Sequence, residues 1–162
     1  MKLTNCTILI TGGTSGFGLI FAKNFLDLGN TVIITGRNQA RLDSVKKQFP
    51  AIHTIKSDAG DANAIRELYD EVAVRFPLLN ILINNAGEMR IISVHNTDVD
   101  LFNITREVEI NLMGPIRMVH QFLPLLKTQP SSAILNVSSG LSLVPFLLLP
   151  LFHLDILKYQ LD

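Results

Sequence analysis

The stretch from Thr11 to Gly18 limits most strongly how this chain can fold, because it sets glycines at positions 12, 16 and 18 between two elements of regular pattern. An apolar run ends at Ile10 just before it. A helical spacing of apolar residues follows it, at Ile20, Phe21, Phe25 and Leu28. The stretch therefore predicts a strand, a tight glycine turn and a helix. Such a helix directs free N–H groups and the positive end of its dipole at the turn, which suits an anion such as a pyrophosphate.

Two plainer interpretations of the glycine stretch stay open on these residues alone. The glycines differ in spacing from the common G-x-G-x-x-G motif, and Leu19 and Ile20 stand where a P-loop has Lys and Ser or Thr. A glycine turn can also serve only to join a strand to a helix. The rest of the chain has to decide between a binding turn and a simple connection.

Composition narrows the class of protein. The chain has 162 residues, 48% of them apolar and 17% charged, which predicts one well-packed domain over residues 1–162. Fourteen basic and fourteen acidic residues cancel, so no basic patch points to a nucleic acid. Cys6 is the single cysteine and cannot form an internal disulfide, and the four histidines lack metal-ligand spacing, so we expect no metal.

The N-terminal residues and the most apolar window of the sequence favour a cytoplasmic protein without a membrane span. The residues from Met1 run straight into the first predicted strand, with no pattern of a signal peptide. The most apolar window, Leu143 to Phe152, is short and contains Pro145 and Pro150. Such a window is too short and too broken to cross a bilayer.

Apolar runs alternate with helical patterns along the chain. Five strands are predicted, at Cys6–Ile10, Thr31–Thr35, Ile52–Ile55, Asn80–Asn84 and Ala133–Val137. Asp61 is placed to cap the helix after the third strand, and Gly114-Pro115 is expected to interrupt the long helical pattern that starts at Asp98. This alternation predicts an α/β fold of the Rossmann-like, doubly wound kind, with a parallel sheet in strand order 3-2-1-4-5 and helices on both faces. Ligands bind outside the carboxyl ends of such strands.

Four motifs in register resemble the short-chain dehydrogenase/reductase family. They are the glycine stretch Thr11–Gly18, Asn84-Asn-Ala-Gly87 after strand 4, Asn111 before Leu-Met-Gly-Pro, and Asn136-Val-Ser-Ser-Gly140 after strand 5. Each motif alone is weak, but together they cover roughly residues 5 to 150 in the expected order. The resemblance implies an NAD(P)-binding domain that transfers a hydride between the nicotinamide and an alcohol or carbonyl.

The resemblance implies a set of cofactor-binding residues. The glycine turn would hold the pyrophosphate, Asp58 would contact the adenine ring, and the turn after strand 4 would lie beside the adenosine ribose. The implied residues are Gly12, Thr14, Ser15, Gly16, Phe17, Gly18, Asp58, Asn85, Ala86 and Gly87. Asp58 has a second interpretation as a cap of its own turn, and the Asn85–Gly87 turn serves equally to end strand 4.

The end of strand 2 predicts NADP(H) rather than NAD(H). An acid at this position accepts from the ribose 2′-hydroxyl and repels a 2′-phosphate. Here the residues are Thr35-Gly36-Arg37-Asn38, without an acid. The Arg37 guanidinium can pair with a phosphate, and Thr14 and Ser15 add hydroxyl donors. Arg37 as a solvated residue that opens the next helix is the alternative.

The resemblance implies Asn111 and Ser139 as catalytic residues. In the family a Ser orients the substrate carbonyl, a Tyr exchanges the proton, a Lys lowers the Tyr pKa and an Asn holds a relay water. Ser138 is the neighbouring candidate, and the family spacing favours Ser139. Both serines can instead cap exposed backbone at a strand end.

The sequence departs from the family where the Tyr and Lys are expected. Phe152 stands in the Tyr position and Ile156 in the Lys position. Phenylalanine has no O–H to donate. His153 is a weak substitute, and Tyr159 has no lysine on its helix face. We therefore expect a C-terminally truncated or frame-disrupted family member that lacks the family's last strands and substrate segment, and a genuine short form is the other interpretation.

Two functions follow from this pattern. The first is an NADP(H)-dependent oxidoreductase acting on an unknown small alcohol or carbonyl, impaired in this chain. The second is a non-catalytic nucleotide-binding or interaction domain. Because strand 5 would have an unpaired edge, a homo-oligomer or aggregate is also expected.

Overall fold

A computed structural model gives the fold and describes residues 3–90 and 100–139. Within these residues five parallel strands form one sheet in the order β3-β2-β1-β4-β5, which confirms the predicted topology. The strands are β1 (Thr7–Ile10), β2 (Thr31–Gly36), β3 (His53–Lys56), β4 (Leu79–Asn84) and β5 (Ala133–Asn136). The prediction placed β3 one residue too early. The apolar window at 143–152 and the positions of Phe152, His153, Ile156 and Tyr159 lie outside the described residues.

Helices connect the strands, and all of those described precede β5 in the chain. They are α1 (Gly16–Asp27), α2 (Gln39–Gln48), α3 (Ala62–Arg75), α4 (Leu101–Ile104), α5 (Arg106–Val108) and α6 (Gly114–Lys127), with a π-helical turn at Glu109–Met113. Local polar residues fix two of the starts. The Asp61 carboxylate accepts from Asn63 N at 2.8 Å and Ala64 N at 3.3 Å, so the predicted cap of α3 is confirmed. The Asn38 side chain caps α2 in the same way.

Alternate residues of the strands pack into two separate cores, one on each face of the sheet. Ile8 and Ile10 of β1 lie in the core that α1 and α2 cover. Leu9 lies in the opposite core, with Leu68 of α3 and Phe122 of α6. Because successive strand residues point to opposite faces, a strand that is apolar at consecutive positions requires helices on both sides. The predicted doubly wound arrangement is therefore confirmed.

Gly114-Pro115 is confirmed as the start of a second helix, with Pro115 in the first turn of α6, but the expected interruption before it is wrong. The helix continues from the π-helical turn directly into α6, and Gly114 N–H bonds to the carbonyl of Glu109. That bond spans five residues instead of four. Pro115 follows in the first turn of α6, where its fixed φ suits the helix and proline is tolerated.

The parallel register brings the carboxyl ends of the strands to one edge. Ile10 of β1 lies opposite Ile34 of β2 and Ile83 of β4. The backbone continues this pairing beyond β1, where Thr11 N–H donates to the Ile83 carbonyl at 3.0 Å. No helix in residues 3–90 and 100–139 is long and apolar enough to cross a membrane.

Candidate functional site

A pocket of about 460 Å³ opens at the carboxyl edge of the sheet, beside the ends of β1, β2, β3 and β4. Nine of the residues proposed from the sequence line it. They are Gly12, Thr14, Ser15, Phe17, Arg37, Asp58, Asn85, Ala86 and Gly87. Gly16 and Gly18 lie in the first turn of α1, next to the pocket lining. The structure thus gathers the predicted cofactor-binding set at one place.

The glycine turn approaches the turn after β4 too closely for side chains. Gly12 has φ +68°, and a Cβ built on it would lie 2.8 Å from the Cα of Ala86. A Cβ on Gly18 would lie 2.5 Å from the Gly12 carbonyl oxygen and from the Asn85 amide nitrogen. Both distances are shorter than van der Waals contact allows. The glycines are therefore required by packing as well as by backbone conformation.

Thr11 and Asn85 join the two turns by hydrogen bonds. The buried Thr11 hydroxyl accepts from Asn85 N and Ala86 N, each at 3.0 Å. The Asn85 side chain donates back to the carbonyls of Thr11 at 3.0 Å and Gly12 at 3.2 Å. This reciprocal set holds the pocket floor in one geometry. Sequence analysis placed Thr11 in the glycine stretch but gave its side chain no role, although its position directly after β1 was a usable signal.

The N-terminus of α1 is suited to an anion. Ser15 is the N-cap residue and has extended backbone, and its side chain makes no capping bond. The first N–H groups of an α-helix have no partner within the helix. Phe17, in that first turn, lies at the pocket wall with 72% of its surface exposed. The turn therefore offers backbone donors, a positive dipole end and an exposed ring on the same side.

Arg37 follows β2 and forms an ion pair across the pocket. Its Nη1 lies 2.8 Å from Oε2 of Glu88, the residue after the Asn85–Gly87 turn. Helix α2 begins at Gln39 with Asn38 as its cap, so Arg37 precedes the helix instead of opening it. Arg41 lines the same corner of the pocket.

Asp58 caps its own turn, which is one of the two roles that the sequence left open, and it also lines the pocket. Its Oδ1 accepts from Gly60 N at 3.0 Å, which is a cap of its own turn. Its Oδ2 lies 2.9 Å from Nη2 of Arg106, and the residue also lines the pocket. Burial raises the pKa of Asp58, but the Gly60 N–H bond and the Arg106 guanidinium outweigh this, so the pKa lies below its ordinary value. The hydrogen bond from Arg106 to Asp58 raises the pKa of the arginine.

The two predicted catalytic residues lie outside the lining of this pocket. Asn111, in the π-helical turn, is buried and holds the backbone of Glu88 at both polar groups: its Oδ1 accepts from Glu88 N at 2.9 Å and its Nδ2 donates to Glu88 O at 2.8 Å. Ser139 is half-buried, three residues beyond the end of β5. Asn111 therefore positions the segment after β4, and nothing in the described contacts assigns chemistry to Ser139.

Two charged residues at the site escaped sequence analysis, and of these Glu88 lines the pocket. Glu88 and Arg106 carry most of the charge pairing, and neither stands in a motif. Glu88 could have been found, because it directly follows the turn at the end of β4. Arg106 gave no signal, since only the packing of α5 brings it to Asp58. Groups of three or more His, Cys, Asp or Glu placed to hold a metal ion do not occur within residues 3–90 and 100–139.

Comparison with known proteins places this geometry in a family. The family model described as short chain dehydrogenase matches residues 6–152. The chain belongs to the short-chain dehydrogenase family, whose members bind nicotinamide dinucleotides. The residues at the pocket fit such a group, because Gly12, Thr14 and Ser15 line it beside the N-terminus of α1, where the Ser15 side chain makes no capping bond.

Relatives of known sequence and structure agree with this assignment. The chain is 43% identical over 152 residues to the uncharacterized oxidoreductase DltE of Bacillus subtilis, covering 94% of this chain and 60% of the relative. It is 34% identical over 136 residues to sulfoacetaldehyde reductase 2 of Chromohalobacter salexigens, covering 82% and 54%. A short-chain dehydrogenase crystal structure from Streptomyces avermitilis superposes with a TM-score of 0.77 at 27% identity, covering 90% and 53%. The chain thus spans little more than half the length of these relatives.

Proposed function

We propose that this chain binds NADP(H) at the pocket and is an oxidoreductase of alcohols or carbonyls by descent, with catalysis impaired in the chain itself. The observation that carries the cofactor choice is the end of β2, where Arg37 lines the pocket and the segment from Thr35 to Asn38 contains no acid. A guanidinium is permanently charged and pairs with a phosphate through two N–H groups. Arg41, at the same corner, adds a second positive charge.

Each wall of the pocket has a role in this proposal. The N–H groups at the start of α1 and the Gly12 turn hold the pyrophosphate. The turn from Asn85 to Gly87 lies along the adenosine ribose, and Asp58 closes the adenine end. Asn111 fixes the turn after β4, and Ser139 orients a substrate carbonyl. The bound nicotinamide supplies or accepts the hydride of the reaction.

Impaired catalysis follows from the residues at two positions. Phe152 and Ile156 stand where the family resemblance expects the Tyr and Lys. A carbonyl that receives a hydride needs a proton, and a phenyl ring has none to give. A positioned acid contributes about 10²–10⁴ in rate. We therefore expect NADPH to bind without measurable carbonyl reduction.

The alternative is a non-catalytic nucleotide-binding or interaction domain. The same two positions favour it, because a domain without the proton donor keeps only the binding half of the site. Both functions predict no loss of NADPH absorbance with a panel of aldehydes and ketones, so this assay tests the absence of catalysis itself. Turnover by the unmodified chain would contradict the impaired site and would make His153 and Tyr159 the first residues to test.

Calorimetric titration tests the cofactor choice. Wild-type protein should bind NADPH more tightly than NADH, and Arg37→Ala should reduce this preference about tenfold or more, because a charge-assisted hydrogen bond contributes about 1.5–3 kcal/mol. Arg66→Ala is the matched control, since Arg66 lies on α3, away from the pocket lining. Equal affinities of the wild type for NADPH and NADH would refute the assignment.

Location and assembly belong to the same proposal. A single domain over residues 1–162, in the cytoplasm and without nucleic-acid or membrane partners, agrees with the balanced charge of the chain. The exposed side chains of Ile134 and Leu135 on β5 support a homo-oligomer, since an apolar strand at a sheet edge can pair with another chain. Light scattering tests this, and a monodisperse monomer would contradict it.

A further inference from the structure

One carboxylate at the pocket is surrounded by three guanidinium groups. Glu88 Oε2 lies 2.8 Å from Arg37 Nη1 and 3.7 Å from Arg106 Nε, and Oε1 lies 3.6 Å from Arg90 Nε. The Glu88 side chain is only 20% exposed, whereas that of Arg37 is 57% exposed. The carboxylate is therefore the inner partner of the pair, and Arg37 is the partner that solvent and ligands reach.

The backbone at Glu88 is fixed, so the side chain is the part that can move. Asn111 bonds both the N–H and the carbonyl of Glu88, at 2.9 and 2.8 Å. From this fixed point the carboxylate has three cationic partners: Arg37, which lines the pocket, and Arg90 and Arg106, which are outside the pocket lining. Leaving Arg37 does not leave Glu88 without a counter-ion.

A 2′-phosphate and the Glu88 carboxylate compete for the same donor. The ion pair occupies an N–H group of Arg37 that a phosphate would use. Two anions on one guanidinium repel each other, so binding of the phosphate weakens the pair between Arg37 and the carboxylate. Asp58 already holds Nη2 of Arg106 at 2.9 Å, but Nε of that arginine faces Glu88.

We propose, resting on the NADP(H) assignment above, that Glu88 is an exchangeable counter-ion of Arg37 and a specificity-determining residue. The 2′-phosphate takes the place of the carboxylate on Arg37, and Glu88 is retained by Arg106 and Arg90. Glu88 thereby lowers the affinity for every ligand with a 2′-phosphate and leaves ligands without it unaffected. In the competing role, Glu88 accepts from the ribose 2′-hydroxyl and favours NAD(H). That role predicts that removing the carboxylate weakens the binding of a ligand with a free 2′-hydroxyl.

Calorimetry with two small probes tests the exchange without any turnover. The probes are 2′,5′-ADP and 5′-AMP, which differ only in the 2′-phosphate. Glu88→Gln should tighten 2′,5′-ADP about fivefold, as expected for loss of a partly exposed ion pair, and leave 5′-AMP unchanged. The variant keeps both backbone bonds to Asn111. Glu71→Gln, which removes a carboxylate paired with Arg75 on α3, is the matched control and should change neither affinity.

A second background separates specific exchange from a general change in charge. In Arg37→Ala the gain from Glu88→Gln should fall below about twofold, because the competition for the guanidinium no longer exists. The same gain with and without Arg37 would overturn the proposal. So would unchanged affinity of Glu88→Gln for 2′,5′-ADP, or weaker binding of 5′-AMP.

The outcomes also distinguish this proposal from the cofactor assignment. If the wild type prefers 2′,5′-ADP and loses that preference in Arg37→Ala, the cofactor assignment holds, and the response of Glu88→Gln alone decides the exchange. If the wild type binds both probes equally and Arg37→Ala changes nothing, the assignment and the exchange both fail.

Discussion

Replacement of Thr11 with valine removes the hydroxyl that joins the two turns at the pocket floor. Valine keeps the shape of the side chain, but its methyl group cannot accept the N–H bonds of Asn85 and Ala86, both at 3.0 Å. Thr11 is 3% exposed, so water cannot take the place of the oxygen at that side. An unsatisfied buried donor costs about 1–3 kcal/mol.

The size of the effect follows from the burial of the two amides. Asn85 and Ala86 are half-buried, so the loss of an acceptor should cost about 1 kcal/mol for each backbone N–H, the low end of the range for a buried donor. We expect Thr11→Val to lower the free energy of unfolding by about 2–3 kcal/mol, a large part of the roughly 5–15 kcal/mol of an ordinary domain. Equilibrium unfolding in urea, followed by circular dichroism, measures it.

Serine is the control for the loss of the hydroxyl. Thr11→Ser keeps the acceptor and loses only a methyl group, which predicts a loss of about 1 kcal/mol. The reasoning would be refuted if valine cost no more than serine, or if Thr11→Val remained within about 0.5 kcal/mol of the wild type with an unchanged m-value.

Three further changes probe the glycine turn, the acid at the adenine end and the amide clamp. Gly12→Ala should cost more unfolding free energy than Gly16→Ala in urea titration, because both positions have positive φ but only Gly12 also meets backbone at 2.8 Å. Asp58 has a lowered pKa, so its carboxylate stabilises the folded state above about pH 4, and this stabilisation is lost as the pH falls through the folded-state pKa. In unfolding titrations from neutral to acid pH, the wild type should therefore lose its stability advantage over Asp58→Asn. Asn111→Asp keeps the acceptor and removes the donor to Glu88 O, so hydrogen exchange should show looser backbone beyond β4 while the Glu88 amide stays protected.

Each of these predictions has a result that contradicts it. Equal costs for Gly12→Ala and Gly16→Ala would mean that the turn relaxes away from Ala86. A stability difference for Asp58→Asn that does not vary with pH would remove the ion pair to Arg106 as its source. Unchanged exchange in Asn111→Asp would show that the donor half of the clamp is dispensable.

The sheet could be predicted from the sequence because its signals are local. Runs such as Thr31–Thr35 are apolar and β-branched at consecutive positions, and such runs form strands covered on both faces. The parallel connection rule then gives the strand order. The residues predicted to bind the cofactor lie together at one edge, since motifs at strand ends meet at the same edge of a parallel sheet.

The charge pairing at the site could not be predicted, because it depends on distances that no spacing encodes. Arg106 meets Asp58 across 48 positions of sequence, from a helix that has no strand-end motif. The continuity of the helix through Gly114-Pro115 was missed for a related reason. A hydrogen bond from Gly114 N–H to the Glu109 carbonyl, five residues back, joins the two helical segments, and apolar spacing does not reveal that bond.

The central position of β1 has a consequence for the order in which the molecule folds. Thr7 pairs with Thr31 in β2 but also with Leu79 in β4, which is much farther along the chain. Closing the longer loop costs more chain entropy, so we expect the β1–α1–β2 unit to form early and the contact with β4 late. The pocket floor spans that late contact. A ligand bound there would consequently slow unfolding and leave the folding rate almost unchanged.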